Sequence, residues 1–377
     1  IPSSVKKIGN GAFYKCSSLK QISFEIPSFK TSIDNKYIYG PLITKLTFEI
    51  PSSVETIGNC AFYGCSSLTQ IMIPSSVTKI DDDAFNGCSS LTDISIPSSV
   101  TFIGNKAFYG CSSLTKTSIP SSITYIGNST FYGCSSLTQI IIPSTVKKID
   151  DSAFYGCLSL KQIPIHSNVT SIGNNAFYKC SSISDIYIPS SVTKIGDNTF
   201  YECSSLKNIS IPSSVNSIGD NAFYGCSSIT QIFIPSSINS FGNNIFDGIK
   251  TLEIIGDIKY IPDALFKGCT SLDQISIPSS VTEIGNSAFE ECSSLTQISI
   301  PSSVTSIGNS AFKGCKLLSD ISIPSISIIG DYTFSECSKI TQITIPSTVT
   351  EIGNNAFSEC SLLAQVSIPS SVASIGY

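Results

Sequence analysis

The sequence predicts an α/β repeat solenoid, in which about sixteen turns of about 23 residues stack on one another. Three observations predict this fold: a short phrase that recurs along the chain, apolar residues in fixed columns, and a strand-like alternation that ends in turn residues. Each turn of a solenoid contacts only its neighbours, so a chain of 377 residues needs no central core. We therefore expect a single solenoid domain over residues 1–377.

The recurring phrase is Ile-Pro-Ser-Ser-Val. With small variations it begins at Ile50, Ile73, Ile96, Ile119, Ile142, Ile188, Ile211, Ile234, Ile277, Ile300 and Ile345. The sequence opens at Ile1 and stops at Tyr377, in both cases inside a repeat. We expect it to be a piece of a longer protein, with its caps and targeting signals outside this sequence.

The residues that precede each phrase predict a short strand. In one repeat, Leu68, Ile71 and Ile73 are apolar, and residues of the opposite face alternate with them over 69–73. This period of two is typical of a half-buried strand. Pro74 ends the strand, because proline lacks the N–H that a sheet ladder needs.

The residues of the phrase itself predict a turn and a second extended piece. Ser75 and Ser76 are expected to hydrogen-bond to their own backbone in the turn. Val77 and Ile80 then return to the core as a second short extended segment.

The rest of each repeat predicts one helical turn on the outer side. Glycine is frequent after the second Ile, as at Gly58, Gly104 and Gly127, which indicates a backbone position with φ above zero. The Asn, Asp or Ser that follows is expected to cap the helical turn. Ala84 and Phe85 then face inward, and loss of one such Phe ring should cost roughly 3–5 kcal/mol. The Phe column comprises Phe62, Phe85, Phe108, Phe131, Phe154, Phe177, Phe200 and Phe223.

The complete pattern is Ile-Pro-Ser-Ser-Val-x-x-Ile-Gly-x-x-Ala-Phe-x-x-Cys-x-x-Leu-x-x-Ile. Over nearly the whole chain it resembles the BspA-type leucine-rich repeats of bacterial and protist surface proteins. The resemblance implies a right-handed leucine-rich-repeat horseshoe with a parallel sheet on its concave face. It also implies display at a cell surface and adhesion to host or matrix proteins, although a repeat pattern specifies a scaffold rather than a ligand.

Three stretches depart from the pattern, near residues 25–46, 245–266 and 324–329. The strands that end at Ile26 and Ile50 carry two extra residues, which a bulge or a sheet edge would absorb. One interpretation is that these stretches are tolerated insertions and deletions at the loop edge. The alternative is a kink in the solenoid that shapes a binding surface.

Composition excludes two classes of partner. Charged residues make up 13% of the chain, the net charge is −5, and the 22 Lys and Arg residues are scattered. Without a basic stripe to neutralise a phosphate backbone, we expect no nucleic-acid partner. No stretch approaches the ~20 apolar residues that span a bilayer, so we expect no membrane-spanning segment.

The sequence offers no catalytic constellation, and we expect the protein not to be an enzyme and to bind no cofactor. His166 is the one histidine, and its neighbours form no nucleophile motif, so we interpret it as a residue that fills a turn. The run Asp81–Asp83 is similar to part of a calcium loop but lacks the later ligands, and helix capping explains it better.

Cysteine is frequent, with 15 residues. Zinc sites need clustered pairs such as C-x₂-C, and their absence predicts no metal site. A ladder of buried thiols that act as small hydrophobic groups is expected instead. Cys60 lies outside the column, where it is either an exposed reactive thiol or a spare surface residue. The column comprises Cys16, Cys65, Cys88, Cys111, Cys134, Cys157, Cys180, Cys203, Cys226, Cys269, Cys292, Cys315, Cys337 and Cys360.

One column of the concave face departs from serine. Most of its members are Ser, but Ile141, Tyr187 and Phe233 are apolar or aromatic. Such groups in a polar sheet are the usual anchors of a protein interface. The alternative is neutral variation on a sheet that accepts bulky β-formers. The candidate binding residues are Gln139, Ile141, Asp185, Tyr187, Gln231 and Phe233.

Two functions from different classes follow. The first is a cell-surface or extracellular adhesion module that binds a host or extracellular-matrix protein through the concave face. The alternative is a passive spacer or coat protein without a specific ligand, and free thiols in a core would suit a cytoplasmic location. Uncapped apolar ends at Ile1 and Ile375 predict weak end-to-end self-association.

Overall fold

The computed structural model describes residues 31–33, 46–50 and 54–377, and for 31–33 and 46–49 it describes the backbone. The chain divides into two compact units, Ile1–Val192 and Thr193–Tyr377, and each is described by itself. That residues 1–377 form one continuous solenoid domain stays a prediction.

The described residues of the first unit form thirteen short strands. They are β1 (Thr31–Ile33), β2 (Leu46–Glu49), β3 (Val54–Ile57), β4 (Leu68–Met72), β5 (Lys79–Ile80), β6 (Asp93–Ser95), β7 (Phe102–Ile103), β8 (Lys116–Ser118), β9 (Tyr125–Ile126), β10 (Gln139–Ile141), β11 (Lys148–Ile149), β12 (Ser171–Ile172) and β13 (Asp185–Tyr187).

The second unit repeats the arrangement. Its strands are β14 (Lys194–Ile195), β15 (Asn208–Ser210), β16 (Ser217–Ile218), β17 (Gln231–Phe233), β18 (Ser240–Phe241), β19 (Thr251–Ile255), β20 (Tyr260–Ile261), β21 (Gln274–Ser276), β22 (Glu283–Ile284), β23 (Gln297–Ser299), β24 (Ser306–Ile307), β25 (Ile328–Ile329), β26 (Gln342–Thr344), β27 (Glu351–Ile352), β28 (Gln365–Ser367) and β29 (Ser374–Ile375).

Each regular turn contributes two strands, and all pairs are parallel. The strands that precede the Pro of the phrase form what we call the first sheet, in the orders β2-β4-β6-β8-β10, β15-β17-β19-β21-β23 and β26-β28. The two-residue strands after the phrase form the second sheet, as in β5-β7 and β9-β11-β12. The register advances by one repeat, with Lys79 opposite Phe102 and Gln70 opposite Asp93. The predicted second extended segment is therefore confirmed.

Each unit folds as a parallel-sheet solenoid, with about 14 turns in the two units together, and neither the α/β description nor the count of about sixteen turns is confirmed. The described residues contain no helix. The reason is visible in the outer segment, where the N–H of Phe85 donates to the carbonyl of Ala107 at 2.8 Å and that of Asp83 to Asn105 at 2.9 Å. In an α-helix these N–H groups would donate to carbonyls four residues earlier in the chain. Here they donate to carbonyls of the next turn. Asp83 also has φ of 56°, which is incompatible with a right-handed helix.

The predicted column of Phe rings is confirmed as a stacked spine in each unit. In the first unit, successive rings from Phe62 to Phe177 lie 5.2 to 5.7 Å apart between centroids. In the second, the spine runs from Phe200 to Phe357, and the widest spacing is 5.9 Å. Ala and the apolar members of both strands pack around these rings, so a turn that lies between two others buries its apolar side on its neighbours.

The cysteine column is also confirmed, as free thiols beside the Phe spine. The thiol of Cys88 donates to the carbonyl of Phe62 at 3.2 Å, and Cys111 does the same to Phe85 at 3.3 Å. The contact ties each turn to the one before it. Cys16 lies outside the described residues.

The glycines after the second Ile have a different role from the one predicted. Gly104 and Gly127 do not have positive φ, so that expectation is wrong. A Cβ at Gly104 would lie 2.4 Å from the backbone nitrogen of Asp82. Close approach to the previous turn explains glycine there. Positive φ instead falls at the residue before each Ala and at the residue before each Cys, as at Lys106 and Gly110.

Two expectations about polar side chains are also wrong. The residue after the glycine does not cap a helix: Oδ1 of Asp82 accepts the N–H of Asn105 in the next turn at 2.7 Å. The second Ser of the phrase does not bond within its own turn either, because the Ser76 hydroxyl donates to the carbonyl of Val54 at 2.7 Å. Both side chains satisfy the backbone of an adjacent repeat.

The first two irregular stretches are accommodated within strands, whereas residues 321–327, which include most of the third, form no strand. The register of β2 against β4 shifts between Leu46 and Thr47, as a bulge would produce, and most of the stretch 25–46 lies outside the described residues. On β19, Glu253 pairs with Gln231 on one side and with Ser276 on the other. The pairing of β19 is therefore shifted by two residues between its two neighbours. A shift of two preserves the alternation of inward and outward side chains, so Leu252 and Ile254 still face inward.

Candidate interaction surface

The predicted residues of the first unit lie on the outward side of the first sheet. In β10 and β13 the central residues, Ile140 and Ile186, are buried, and their neighbours therefore point outward. Ile141 is 62% exposed and Tyr187 is 61% exposed. These are unusually exposed for large apolar side chains, and each extends from a hydrogen-bonded strand that fixes its direction.

The turn between Ile141 and Tyr187 is irregular. Residues 161–166 form no strand, although Ile163 and Ile165 remain buried in the expected columns. Pro164 occupies the position between the two exposed side chains and is itself exposed. Two turns correspond to roughly 10 Å along the stack, so the three side chains form a short apolar row.

Polar residues flank this row. Gln139 and Asp185 begin the strands that Ile141 and Tyr187 end, and both are exposed. The hydroxyl of Ser184 donates to Oδ2 of Asp185 at 2.9 Å, which fixes the orientation of the carboxylate. The arrangement is an apolar row with one amide and one carboxylate on the same side of it.

The other two predicted residues, Gln231 and Phe233, lie in the second unit on β17. Nε2 of Gln231 donates to Oε2 of Glu253 at 2.5 Å. Phe233 is only half-exposed, because its ring lies against Gly256, where a Cβ would come within 3.0 Å of the ring atom Cε2. The six predicted residues therefore fall into two groups, one in each unit.

The sequence missed Ile255, which lies beside Phe233. The two residues are register partners on β17 and β19, and Ile255 is 38% exposed. The step between them is 22 residues rather than 23, and the repeat lacks the Ile-Pro-Ser-Ser-Val phrase. A fixed period therefore cannot align the two positions, whereas an alignment on the alternation of Leu252 and Ile254 would have found the pair.

A ladder of tyrosines was also missed. Tyr109, Tyr132, Tyr155 and Tyr178 directly follow Phe residues of the spine, and all four are half-buried. Their rings stack at 4.5, 4.3 and 4.3 Å between successive centroids. Burial, together with the repulsion that the neighbouring phenols of Tyr155 and Tyr109 exert on a second negative charge, raises the pKa of Tyr132 to about 12. The Phe-Tyr dipeptide recurs at the same position of successive repeats, and this recurrence could have predicted the tyrosine ladder from the sequence.

The second sheet of the first unit carries a smaller cluster. Nζ of Lys79 lies 5.0 Å from the ring centroid of Phe102, whose ring meets Tyr125 edge-on at 6.2 Å. An ion pair flanks the cluster on each side: Lys79 pairs with Asp81 at 2.7 Å, and Lys148 pairs with Asp150 at 2.6 Å. Each of these cations already has its own carboxylate beside it.

Other candidates from the sequence have structural roles. A ring nitrogen of His166 lies 2.7 Å from the carbonyl oxygen of Ile142, as expected of a residue that fills a turn. Cys60 is only partly exposed. Its burial and the negative charges of Asp83 and Asp82 raise the pKa of its thiol. A raised pKa disfavours the reactive thiolate. Asp81 pairs with Lys79.

In the part of the chain that the structure describes, no group of three or more His, Cys, Asp or Glu side chains is arranged to hold a metal ion. The same residues contain no helix with the length and apolarity that crossing a membrane would require.

Comparison with known families places this repeat. The family model described as "BspA type Leucine rich repeat region" matches residues 1–49, 31–157, 124–253 and 259–377, in six copies. The chain belongs to the BspA-type leucine-rich-repeat family. The family resemblance seen in the sequence is therefore confirmed. A comparison of this BspA-type chain with curated proteins found no match.

The chain is also similar to proteins of solved structure. A leucine-rich repeat protein from Bacteroides ovatus is 30% identical to this BspA-type chain, with 86% of this chain and 88% of that one covered and a TM-score of 0.63. A leucine rich cell surface protein from Faecalibacterium prausnitzii is 29% identical, with 87% and 83% covered and a TM-score of 0.42. The pneumococcal vaccine antigen PcpA is 21% identical, with 77% and 81% covered and a TM-score of 0.45.

Proposed function

We propose that this BspA-type chain is a non-enzymatic protein-binding scaffold at a cell surface or outside the cell. Its partner is a host or extracellular-matrix protein, and the outward side of the first sheet binds it. The observation that carries the proposal is the pair Ile141 and Tyr187, which are 62% and 61% exposed in a column that is otherwise mostly serine. Exposed large apolar groups in rigid strands lose little conformational entropy on binding, so they are suited to anchor a partner.

The polar neighbours suit the same role. Gln139 and Asp185 flank the apolar row and supply a donor, acceptors and one negative charge. An interface of this kind has an apolar centre and a polar rim. In the second unit, Phe233 and Ile255 form a separate apolar pair beside Gln231. We assign the main contact to the first-unit row, because its side chains are the more exposed.

The alternative is a spacer or coat protein without a specific ligand. The observation that favours it is the uniform Gln and Ser character of β21 and β23, where Gln274 pairs with Gln297 and Ser276 with Ser299. A face with repeated small polar groups offers stiffness and solubility but no anchor for a partner.

Binding to a panel of immobilised extracellular-matrix proteins and host-cell surface proteins separates the two functions. The variant carries Ile141→Ser and Tyr187→Ser together, both of which restore the residue usual in that column. Met72→Ser is the matched control, because Met72 occupies the same column and is also 62% exposed. A second variant, Phe233→Ser, reports on the second unit.

The scaffold function requires that the wild-type chain and Met72→Ser bind a partner and that the double variant lose it, with circular dichroism unchanged. If the double variant binds as well as the wild type and Phe233→Ser does not, the contact belongs to the second unit. If the wild-type chain binds nothing in the panel, the spacer alternative is favoured.

A further inference from the structure

The tyrosine ladder of the first unit joins phenol groups from four successive turns. The rings of Tyr109, Tyr132, Tyr155 and Tyr178 lie within 4.5 Å of the next ring and are within 7° of parallel. They are stacked more closely than the Phe rings beneath them, where successive centroids are at least 5.2 Å apart. The two ladders also differ in exposure, because the Phe rings are buried whereas the tyrosines are half-buried at the surface.

We propose that this ladder is a site of oxidative cross-linking, at which a peroxidase with hydrogen peroxide joins tyrosines of adjacent turns into dityrosine. The inference does not depend on the proposed binding function. A shorter ladder in the second unit, Tyr201 and Tyr224 with centroids 4.7 Å apart, has the same geometry.

The chemistry balances without a further co-reactant. One-electron oxidation removes an electron and the hydroxyl proton from each of two neighbouring phenols. The two radicals then form a carbon–carbon bond between the ring positions adjacent to the oxygens, and the displaced ring hydrogens move to those oxygens. In total the two tyrosines lose two electrons and two protons, which convert one hydrogen peroxide into two waters.

The geometry favours coupling within the ladder. Parallel stacked rings hold the ring carbons of neighbouring tyrosines close together, so two radicals formed in the ladder meet without diffusion. The rings must then turn out of the stack, because the new carbon–carbon bond lies in the plane of both rings. Because the rings are partly exposed, they can rotate without disturbing the Phe spine.

Competing targets for an oxidant are few. The chain has no Trp and one Met. The column thiols from Cys65 to Cys180 are buried. Burial raises the pKa of groups such as Cys111 and Cys157, so little reactive thiolate forms. In the described part of this unit the competing side chains are therefore Met72, which is exposed, and Cys60, which is partly exposed.

The other tyrosines of the first unit differ in position. In the Tyr63 column the next turn carries Asn86, which separates Tyr63 from Tyr109, and one turn before Tyr187 its column carries Pro164. Tyr63 and Tyr187 therefore do not belong to the four-tyrosine ladder. These two residues provide the matched control for a test.

The test treats the full chain with a peroxidase and hydrogen peroxide and maps dityrosine by mass spectrometry of digested peptides. The test variant carries Tyr132→Phe and Tyr155→Phe, which keep the stacked rings but leave Tyr109 and Tyr178 three turns, roughly 14 Å, apart. The control variant carries Tyr63→Phe and Tyr187→Phe. Cys60→Ser is included in all chains to remove the one partly exposed thiol outside the column.

The expected result is intramolecular dityrosine between ladder neighbours at a yield that is independent of protein concentration. The control variant keeps this yield. The test variant loses the first-unit products and keeps the product that joins Tyr201 and Tyr224, which shows that the oxidation itself still works. Products that involve mainly Tyr63 or Tyr187, a yield that rises with protein concentration, or no dityrosine while free N-acetyltyrosine couples in the same tube would each overturn the proposal.

Discussion

The backbone N–H of Asn105 donates to Oδ1 of Asp82, one repeat earlier in the chain, at 2.7 Å. Asn105 in turn accepts the N–H of Asn128 at 2.8 Å. The second unit repeats the contact, for example from Asp331 to Asn309 and from Asn354 to Asp331. A column of Asn and Asp therefore ties successive turns together at the point where the outer segment begins, which explains why these two residue types recur there.

The first prediction concerns this column. Asp82→Ala removes the acceptor and should lower the free energy of unfolding by about 1 kcal/mol, because the contact is exposed and water partly replaces it. Asp82→Asn keeps an oxygen at the same position, as Asn105 does naturally, and should cost much less. Urea denaturation followed by circular dichroism measures both. Equal losses in the two variants would show that the carboxylate charge, rather than the acceptor, matters.

The second prediction concerns Gly104. A Cβ there would lie 2.4 Å from the nitrogen of Asp82 and 2.5 Å from the carbonyl carbon of Asp81, and neither backbone atom can move alone. Gly104→Ala should therefore destabilise the protein by roughly 1–3 kcal/mol, as overpacking does. At Gly127 the nearest atom is the side-chain Oδ1 of Asn105, at 2.8 Å, and a side chain can shift. Gly127→Ala should cost less than Gly104→Ala in the same denaturation experiment.

The sequence predicted the columns well, because burial is periodic. Phe85, Cys88 and Leu91 lie where the repeat places them, fully buried in the stack. The sequence did not predict where the polar groups of the outer segment find their partners. A pattern such as Gly-Asn-x-Ala-Phe suits a capped helical turn as well as an inter-turn ladder, and only the contacts between repeats distinguish the two.

The sequence located exposed apolar side chains of the first sheet only where the repeat keeps its length of 23 residues. Ile141 and Tyr187 are in register with the serine column and are exposed as expected. Ile255 was missed because the repeat before it is shortened, and the half-burial of Phe233 depends on Gly256, which lies in that same irregular repeat. The tyrosine ladder was missed for another reason. The sequence analysis considered the buried Phe column, whereas the tyrosines that follow those Phe residues stack on one another at the surface.

The third prediction is a loss of stability at high pH. Burial raises the pKa of the Cys134 thiol from 9.0 to about 12. The unfolded thiol therefore ionises first, and between those two values the unfolded state binds fewer protons than the folded state. The free energy of unfolding should fall as pH rises through that window, by roughly 1.4 kcal/mol per pH unit for each such thiol.

Denaturation at a series of pH values from about 8 to about 11 measures this slope. Cys134→Ala should reduce the slope by the contribution of one proton. Leu137→Ala is the control, because Leu137 is equally buried and does not titrate. It should lower stability at every pH and leave the slope unchanged. A Cys134→Ala slope equal to that of the wild type would contradict the assignment.

The fourth prediction concerns the polypeptide of residues 1–377 taken by itself, for which we expect weak self-association through its last turn. Ile368 and Ile375 are 51% and 58% exposed, whereas their equivalents one turn earlier, Ile345 and Ile352, are each 5% exposed. Strands β28 and β29 pair with β26 and β27 on one side and present their other edge outward. An apolar edge with unpaired backbone groups favours association with another copy of this chain. Ile1, the other predicted end, lies outside the described residues.

Sedimentation equilibrium over rising concentrations tests this association. The variant with Ile368→Lys and Ile375→Lys should remain monomeric, because charge on the edge opposes pairing. Ile328→Lys is the control, since Ile328 is comparably exposed but belongs to an earlier turn whose strand, β25, is covered by β27. It should associate as the wild type does. A wild-type chain that stays strictly monomeric at high concentration would show that the exposed apolar edge is too small to hold two copies together.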